Sequence, residues 1–129
     1  MDLSIKVLHN KLLEILIDFD SFCTEHNIKY TIAYGTVIGS LRHSGFIPWD
    51  DDIDVVMTYE NYMKFLNLFK NNDKYFLQKD TIDFPLQFSK LRMNNTTFIE
   101  KIPYRRKYKN IHQGIYIDII CMDAVSNIK

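Results

Sequence analysis

The chain has 129 residues, of which 47% are hydrophobic and 25% are charged, a composition that suits one globular domain with a hydrophobic core. Sixteen basic and sixteen acidic residues give a formal net charge of zero, which argues against nucleic acid as a partner attracted by the charge of the whole molecule. No stretch approaches the roughly 20 apolar residues that cross a bilayer, and the N-terminus lacks the apolar segment of a signal peptide. Cys23 and Cys121 are far apart in sequence, and we expect both to be buried, reduced thiols. These features together predict a soluble cytoplasmic protein that is not transmembrane.

The first half of the chain predicts alternating helices and strands. Apolar residues recur at steps of three and four over residues 3–26, the period of an amphipathic helix, and Asn27 is a suitable left-handed stop. The pattern then predicts a strand over 28–34, ended by Gly35-Thr36, a helix over 37–43, a strand over 52–57 and a helix that contains Tyr62 and Phe69.

The second half is rich in β-branched and aromatic residues. It predicts strands over 75–79, 86–93, 97–102 and 114–122, and an exposed basic loop over 103–112. Because helices and strands mix without strict alternation, the fold class expected is α+β, with a mixed β-sheet flanked by helices. The absence of linkers and repeats predicts a single domain over 1–129.

Four aspartates, Asp50, Asp51, Asp52 and Asp54, stand between apolar residues rather than among lysine or serine. Side chains two apart on a strand share one face, about 6.5–7 Å apart, so Asp52 and Asp54 would face together while Ile53 enters the core. Two such carboxylates repel each other unless they share a cation, and oxygen ligands suit magnesium. The pair therefore favours half of a metal site.

Asp118 interrupts an otherwise apolar strand and is the candidate third ligand, because an unpaired buried carboxylate is very costly. Two alternatives stay open at this level. The acidic run could be a solvated loop or helix cap, and Asp118 could pair with an arginine or lysine. A calcium-binding EF-hand loop fails, because Val55 falls where glycine is needed and Asn61 falls where the bidentate glutamate is needed.

Gly35-Thr36, between a strand and a helix, exposes backbone amides at a positive helix end and can hold a phosphate. A glycine turn, two strand aspartates and a third acid are together typical of the nucleotidyltransferase fold. Residues 34–43, YGTVIGSLRH, and 45–54, GFIPWDDDID, resemble the signature of the LicD family. That family includes bacterial phosphocholine transferases and relatives of the fukutin-related protein. The resemblance extends to residues 27–30, 88–92 and 112–119 and so spans most of the chain.

The resemblance implies which residues form the site. Asp52, Asp54 and Asp118 would bind Mg²⁺ or Mn²⁺ and carry catalysis, with Asp118 as the acceptor of the hydroxyl proton. Gly35, Thr36 and Arg42 would line the phosphate site, and Asp50 and Lys90 match further substrate-binding positions. Lys90 alternates with apolar residues on its strand, so it either reaches the floor of the site or extends to solvent. Trp49 either stacks on a base or, as is more typical of a Trp after Pro beside a strand, anchors the core.

The resemblance also implies the activity. A metal-dependent transferase would move a phospho-substituted group, such as phosphocholine, from a CDP-linked donor to a cell-surface glycan or its lipid-linked precursor, in teichoic acid or lipopolysaccharide biosynthesis. A lipid-linked acceptor would be met at the inner face of the membrane. The alternative is a non-catalytic metal–nucleotide-binding regulatory module or a truncated, inactive family member.

Two departures from the family pattern matter. Phe-Pro-Leu-Asp usually follows the third acid in the family, whereas residues 120–123 here are Ile-Cys-Met-Asp. Family members also continue for many more residues. The comparison implies that the family's C-terminal part is missing, so we expect weak activity from this chain alone, and self-association or a completing partner.

Overall fold

The structure, a computed structural model, describes residues 4–79, 88–99 and 111–122. Within these ranges the elements are, in chain order, α1 (Ile5–Glu25), β1 (Thr31–Ile32), α2 (Tyr34–Arg42), β2 (Asp54–Thr58), α3 (Tyr59–Leu68), β3 (Tyr75–Gln78), β4 (Phe88–Met93) and β5 (Tyr116–Met122).

The five strands form one mixed sheet in the order β1-β2-β5-β4-β3. The β2–β5 pair is parallel and the other three pairs are antiparallel. Helices α1 and α3 pack against the central strands. The predicted α+β class with a mixed sheet and an N-terminal helix is therefore confirmed.

Helix α1 forms as its sequence period indicates. The Ser4 side chain caps its first turn by accepting a hydrogen bond from the Val7 amide at 3.3 Å. Its buried stripe consists of Leu8, Leu12, Ile15, Phe19 and Cys23. Asn27 then adopts φ 53°, the left-handed conformation expected of a stop residue.

The two faces of the sheet differ in chemistry because side chains alternate along each strand. One face carries Val55, Met57, Ile117 and Ile119, which are at most 2% exposed and belong to the hydrophobic core with α1 and α3. Burying each such side chain contributes about 1.5–3 kcal/mol. The alternate positions of the same strands carry the polar residues that form the candidate site.

Several predicted boundaries were wrong. The strand predicted over 28–34 is only Thr31–Ile32, because Tyr34 adopts φ 51° and already begins α2. The strand predicted from Asp52 begins at Asp54. Residues 97–99 are not a strand, whereas 86–87, 100–102 and most of the predicted loop, 103–110, lie outside the described residues.

Individual side chains also depart from expectation. Trp49 is 78% exposed, so the interpretation as a core anchor is wrong. Cys23 is buried as predicted, but Cys121 is only partly buried. Within the described ranges, no helix combines the length and apolar character needed to span a bilayer.

Candidate metal and phosphate site

A row of charged side chains crosses the three central strands on the polar face of the sheet. Asp54 of β2 pairs in register with Asp118 of β5, and Asp118 pairs in register with Lys90 of β4. The Asp118 amide also donates to the Ile53 carbonyl at 2.9 Å, which aligns β5 with the start of β2. The sheet register therefore places two carboxylates and one ammonium group side by side.

Asp52, immediately before β2, completes a cluster of three carboxylates. Asp52, Asp54 and Asp118 each offer an oxygen, and these oxygens lie within 4.8 Å of one another. Burial, followed by repulsion from Asp54 and Asp50, raises the pKa of Asp52 to about 7. Burial and then repulsion from Asp118 and Asp50 raise the pKa of Asp54 to about 6, although Lys90 acts in the opposite direction.

The cluster fits a divalent cation. Three partly buried carboxylates from separate chain positions converge, and their mutual repulsion is what a bound cation would remove. All the ligand atoms are oxygens, the type preferred by Mg²⁺ and Mn²⁺. The structure thus brings together the three acids predicted from the sequence. Asp52, which was predicted to lie in the strand, precedes β2 instead.

Lys90 lies on the floor of the site and not in solvent. Its Nζ donates to Asp118 Oδ1 at 2.6 Å, and the two side chains are 2% and 13% exposed. The same Nζ lies 3.6 Å from the centroid of the Tyr116 ring, in a cation–π arrangement. The open alternatives for Asp118 are therefore resolved: it belongs to the acid cluster and also pairs with a lysine.

Gly35 and Thr36 lie in the first turn of α2 and not before the helix. The Thr36 hydroxyl accepts a hydrogen bond from the Asp54 amide at 3.0 Å, which ties the start of α2 to the start of β2. A Cβ on Gly35 would lie 2.6 Å from Asp50 Oδ2, so a larger residue there would displace the Asp50 side chain. Both residues lie beside the carboxylates, at a positive helix end where a phosphate can bind.

His9 is a residue of this region that sequence reasoning missed. Its Nε2 donates to the Asp50 carbonyl at 2.5 Å, and its ring stacks on Phe46 at 4.1 Å between centroids. These contacts fix the acidic segment to α1. No local signal could have found this role, because His9 lies on the flank of the apolar stripe of α1 and its partner is 41 residues away.

Arg42 is the predicted residue that the structure does not bring to the acids. It is exposed at the last position of α2, seven residues and therefore about 10 Å of helix rise from Gly35. Its contact with a phosphate stays a prediction.

Three converging carboxylates beside an α-helix N-terminus define a candidate site for a divalent cation and a phosphate-bearing ligand. The sequence model of the family described as "LicD/FKTN/FKRP, nucleotidyltransferase domain" matches residues 27–126, so the chain belongs to the LicD family. This match includes the acid cluster, α2 and Lys90.

Two curated relatives show how much of the chain is shared. The lipopolysaccharide cholinephosphotransferase LicD of Haemophilus influenzae is 38% identical over 78 residues, 60% of this chain and 29% of that protein. An uncharacterized protein of Rickettsia typhi is 41% identical over 54 residues, 42% of this chain and 18% of that protein. The chain thus spans less than a third of the length of the relatives it matches.

Proposed function

We propose that this chain carries the donor and metal site of a transferase that moves a phosphocholine-like group from a CDP-linked donor to a glycan or lipid-linked glycan. The observation that carries the proposal is the convergence of Asp52, Asp54 and Asp118 beside the N-terminus of α2. Membership of the LicD family and the similarity to a cholinephosphotransferase support this class of reaction.

Asp52, Asp54 and Asp118 would hold Mg²⁺ or Mn²⁺. When bound, the ion supplies positive charge at the phosphate oxygens of the donor and at the leaving CMP. Lys90, on the opposite side of Asp118 from Asp54, donates a charge-assisted hydrogen bond that orients the Asp118 carboxylate. The Gly35 region of α2 would receive a donor phosphate, and Thr36 holds Asp54 in place.

In the proposed reaction, the oxygen of the acceptor hydroxyl attacks the choline-bearing phosphorus of CDP-choline. The bond from that phosphorus to the bridging oxygen breaks, and CMP leaves with the electron pair. The hydroxyl proton passes to a carboxylate of the cluster, for which we propose Asp118. A lipid-linked acceptor would bring the protein to the inner face of the membrane.

The decisive variant is Asp54→Asn, which removes one ligand charge and keeps the size of the side chain. We expect at least a hundredfold loss of Mg²⁺-dependent CMP release from CDP-choline, in line with the loss of a charge that acts in the transition state. Asp51→Asn is the matched control, because Asp51 is an exposed carboxylate of the same segment. A cooperative thermal unfolding transition in EDTA would show that each variant folds.

The alternative outcomes are distinct. Near-wild-type CMP release by Asp54→Asn would overturn the proposed site. Mg²⁺-dependent binding of CDP-choline without CMP release, even with a glycan acceptor, would instead indicate a metal–nucleotide-binding regulatory module. No effect of Mg²⁺ on either binding or melting temperature would leave only a structural role for the acid cluster.

A further inference from the structure

A cavity of about 250 Å³ lies between α1 and α2, directly beside the acid cluster. This volume is below the range of roughly 300–1,000 Å³ that suits drug-sized ligands, so the cavity suits one small group. Its wall is mainly apolar, and the apolar side chains are Leu13, Leu16, Ile32, Phe46 and Ile53.

The polar part of the wall has one charge. Asp50 contributes a carboxylate, Ser40 and Ser44 contribute hydroxyl groups, and no basic residue is among the described residues that line the cavity. The Ser40 hydroxyl donates to the Val37 carbonyl at 2.9 Å, which leaves it an acceptor toward the cavity. A wall with one negative charge and mainly apolar surface favours an organic cation and disfavours an anion.

We propose that this cavity, here called the α1–α2 cavity, binds the quaternary ammonium end of the transferred group. A quaternary ammonium carries no N–H donors, so an apolar wall leaves none of its hydrogen bonds unmade. A primary ammonium would need three acceptors and would lose more hydration in the same place. Phe46 adds an aromatic ring, and the Asp50 carboxylate supplies the compensating charge.

The position of the cavity joins it to the site described above. Gly35, Thr36 and Asp50 line the cavity, and Asp50 also offers an oxygen within 4.8 Å of oxygens of Asp51 and Asp52. A donor with its phosphate at the carboxylates can therefore place its choline end in the α1–α2 cavity. This inference deepens the proposed function and rests on it only for the identity of the donor.

The test is a titration of methyl-labelled protein with choline chloride in EDTA, without nucleotide, followed by NMR. We expect shifts of the Leu13, Leu16, Ile32 and Ile53 methyl signals and none for Leu77 on β3. The neutral analogue 3,3-dimethylbutan-1-ol should bind at least about tenfold more weakly, because it has the same shape without the charge. Equal binding of the two compounds, or no shift at the cavity methyl groups, overturns the proposal.

Variants separate this inference from the proposed function. Asp50→Asn should weaken choline binding about tenfold, whereas the neighbouring exposed control Asp51→Asn should bind as the wild type does. Asp54→Asn should retain choline binding, because Asp54 does not line the cavity. The methyl spectrum reports directly whether each variant folds.

Two further results distinguish a failure of the cavity assignment from a failure of the proposed function. If choline binds the cavity but CDP-choline shows no Mg²⁺-dependent binding, the proposed function fails and the cavity assignment stands. If CDP-choline binds with Mg²⁺ but shifts none of the cavity methyl signals, the cavity assignment fails and the proposed function stands.

Discussion

Replacing Lys90 with methionine tests the central electrostatic feature of the site. The variant keeps a side chain of similar length but removes the ammonium group that donates to Asp118 at 2.6 Å. Because the Lys90 and Asp118 side chains are only 2% and 13% exposed, the remaining carboxylate cannot recover full hydration. It would also lie beside Asp54 and Asp52 without the nearby positive charge.

Breaking a buried ion pair by removing one partner costs about 3–5 kcal/mol. For 129 residues, the average unfolding entropy converts this loss to a fall in melting temperature of roughly 10–20 °C. The loss should be largest in EDTA at pH 8 and smaller with Mg²⁺, because bound cation would replace part of the missing charge. Replacing Asp118 with asparagine in the same chain should recover part of the loss, since both members of the pair are then neutral.

Lys74→Met is the matched control for this experiment. Lys74 also pairs with a carboxylate at 2.6 Å, Asp18, but the two side chains are 47% and 40% exposed, so removing it should cost at most about 1 kcal/mol. Thermal unfolding of the two variants side by side decides the argument. If Lys90→Met is as stable as Lys74→Met, the Lys90–Asp118 pair contributes no more than a surface pair and the reasoning is wrong.

Two further predictions concern the acids and the glycines. The raised pKa values of Asp52, about 7, and Asp54, about 6, against ordinary values of 3.8, mean that the metal-free folded state binds protons more tightly than the unfolded state. Their contribution to stability is therefore present below about pH 4 and lost as the pH rises through 6 to 7. Because Mg²⁺ would bind the ionised carboxylates, the rise in melting temperature that it causes should be larger at pH 8 than at pH 5.5. An equal rise at the two pH values would contradict this prediction. In urea unfolding, Gly39→Ala should destabilise the domain more than Gly35→Ala. The new Cβ at residue 39 would meet backbone atoms at 2.5 and 2.8 Å, whereas the obstacle at residue 35 is the Asp50 side chain, which can move. The reverse order of stability would refute this prediction.

The sequence predicts best the features that depend on local period. The α1 stripe and the stop at Asn27 follow from helical spacing and a left-handed turn, and both are observed. The strand predicted over 97–102 is absent from its described part, residues 97–99, because strand formation depends on a pairing partner and not on local period. Phe98 donates to the Gln113 carbonyl and the Thr96 hydroxyl accepts from the Ile115 amide, so isolated hydrogen bonds replace a ladder. β-propensity describes side-chain fit and cannot specify a pairing partner.

The site depends on which strands pair and in which register, and the spacing of residues in the sequence does not specify either. Asp52 and Asp54 are recognisable because they interrupt apolar sequence, and Asp118 for the same reason. The position of Lys90 follows from the antiparallel register of β4 and β5, which places it opposite Asp118. The alternation of side chains along the strand does not by itself decide whether Lys90 faces the site or solvent. The contact between His9 and Asp50 is further removed from any local pattern, since it joins the first helix to the acidic segment.

Thr36 offers a last test, because its hydroxyl has a structural role that can be measured without any nucleotide. It accepts the hydrogen bond of the partly buried Asp54 amide at 3.0 Å. Thr36→Val keeps the shape of the side chain but leaves that amide without its acceptor, which costs about 1–3 kcal/mol. Thr36→Ser retains the oxygen and is the matched control.

We expect Thr36→Val to lower the free energy of unfolding by this amount in urea and to reduce the stabilisation caused by Mg²⁺ alone. The second effect follows because a loosened Asp54 amide allows the carboxylate to move away from Asp52 and Asp118. Displacing one of the three proposed ligands should weaken binding of the ion. Thr36→Ser should resemble the wild type in both measurements. If the valine variant also does so, the hydrogen bond does not position Asp54 and the reasoning is wrong.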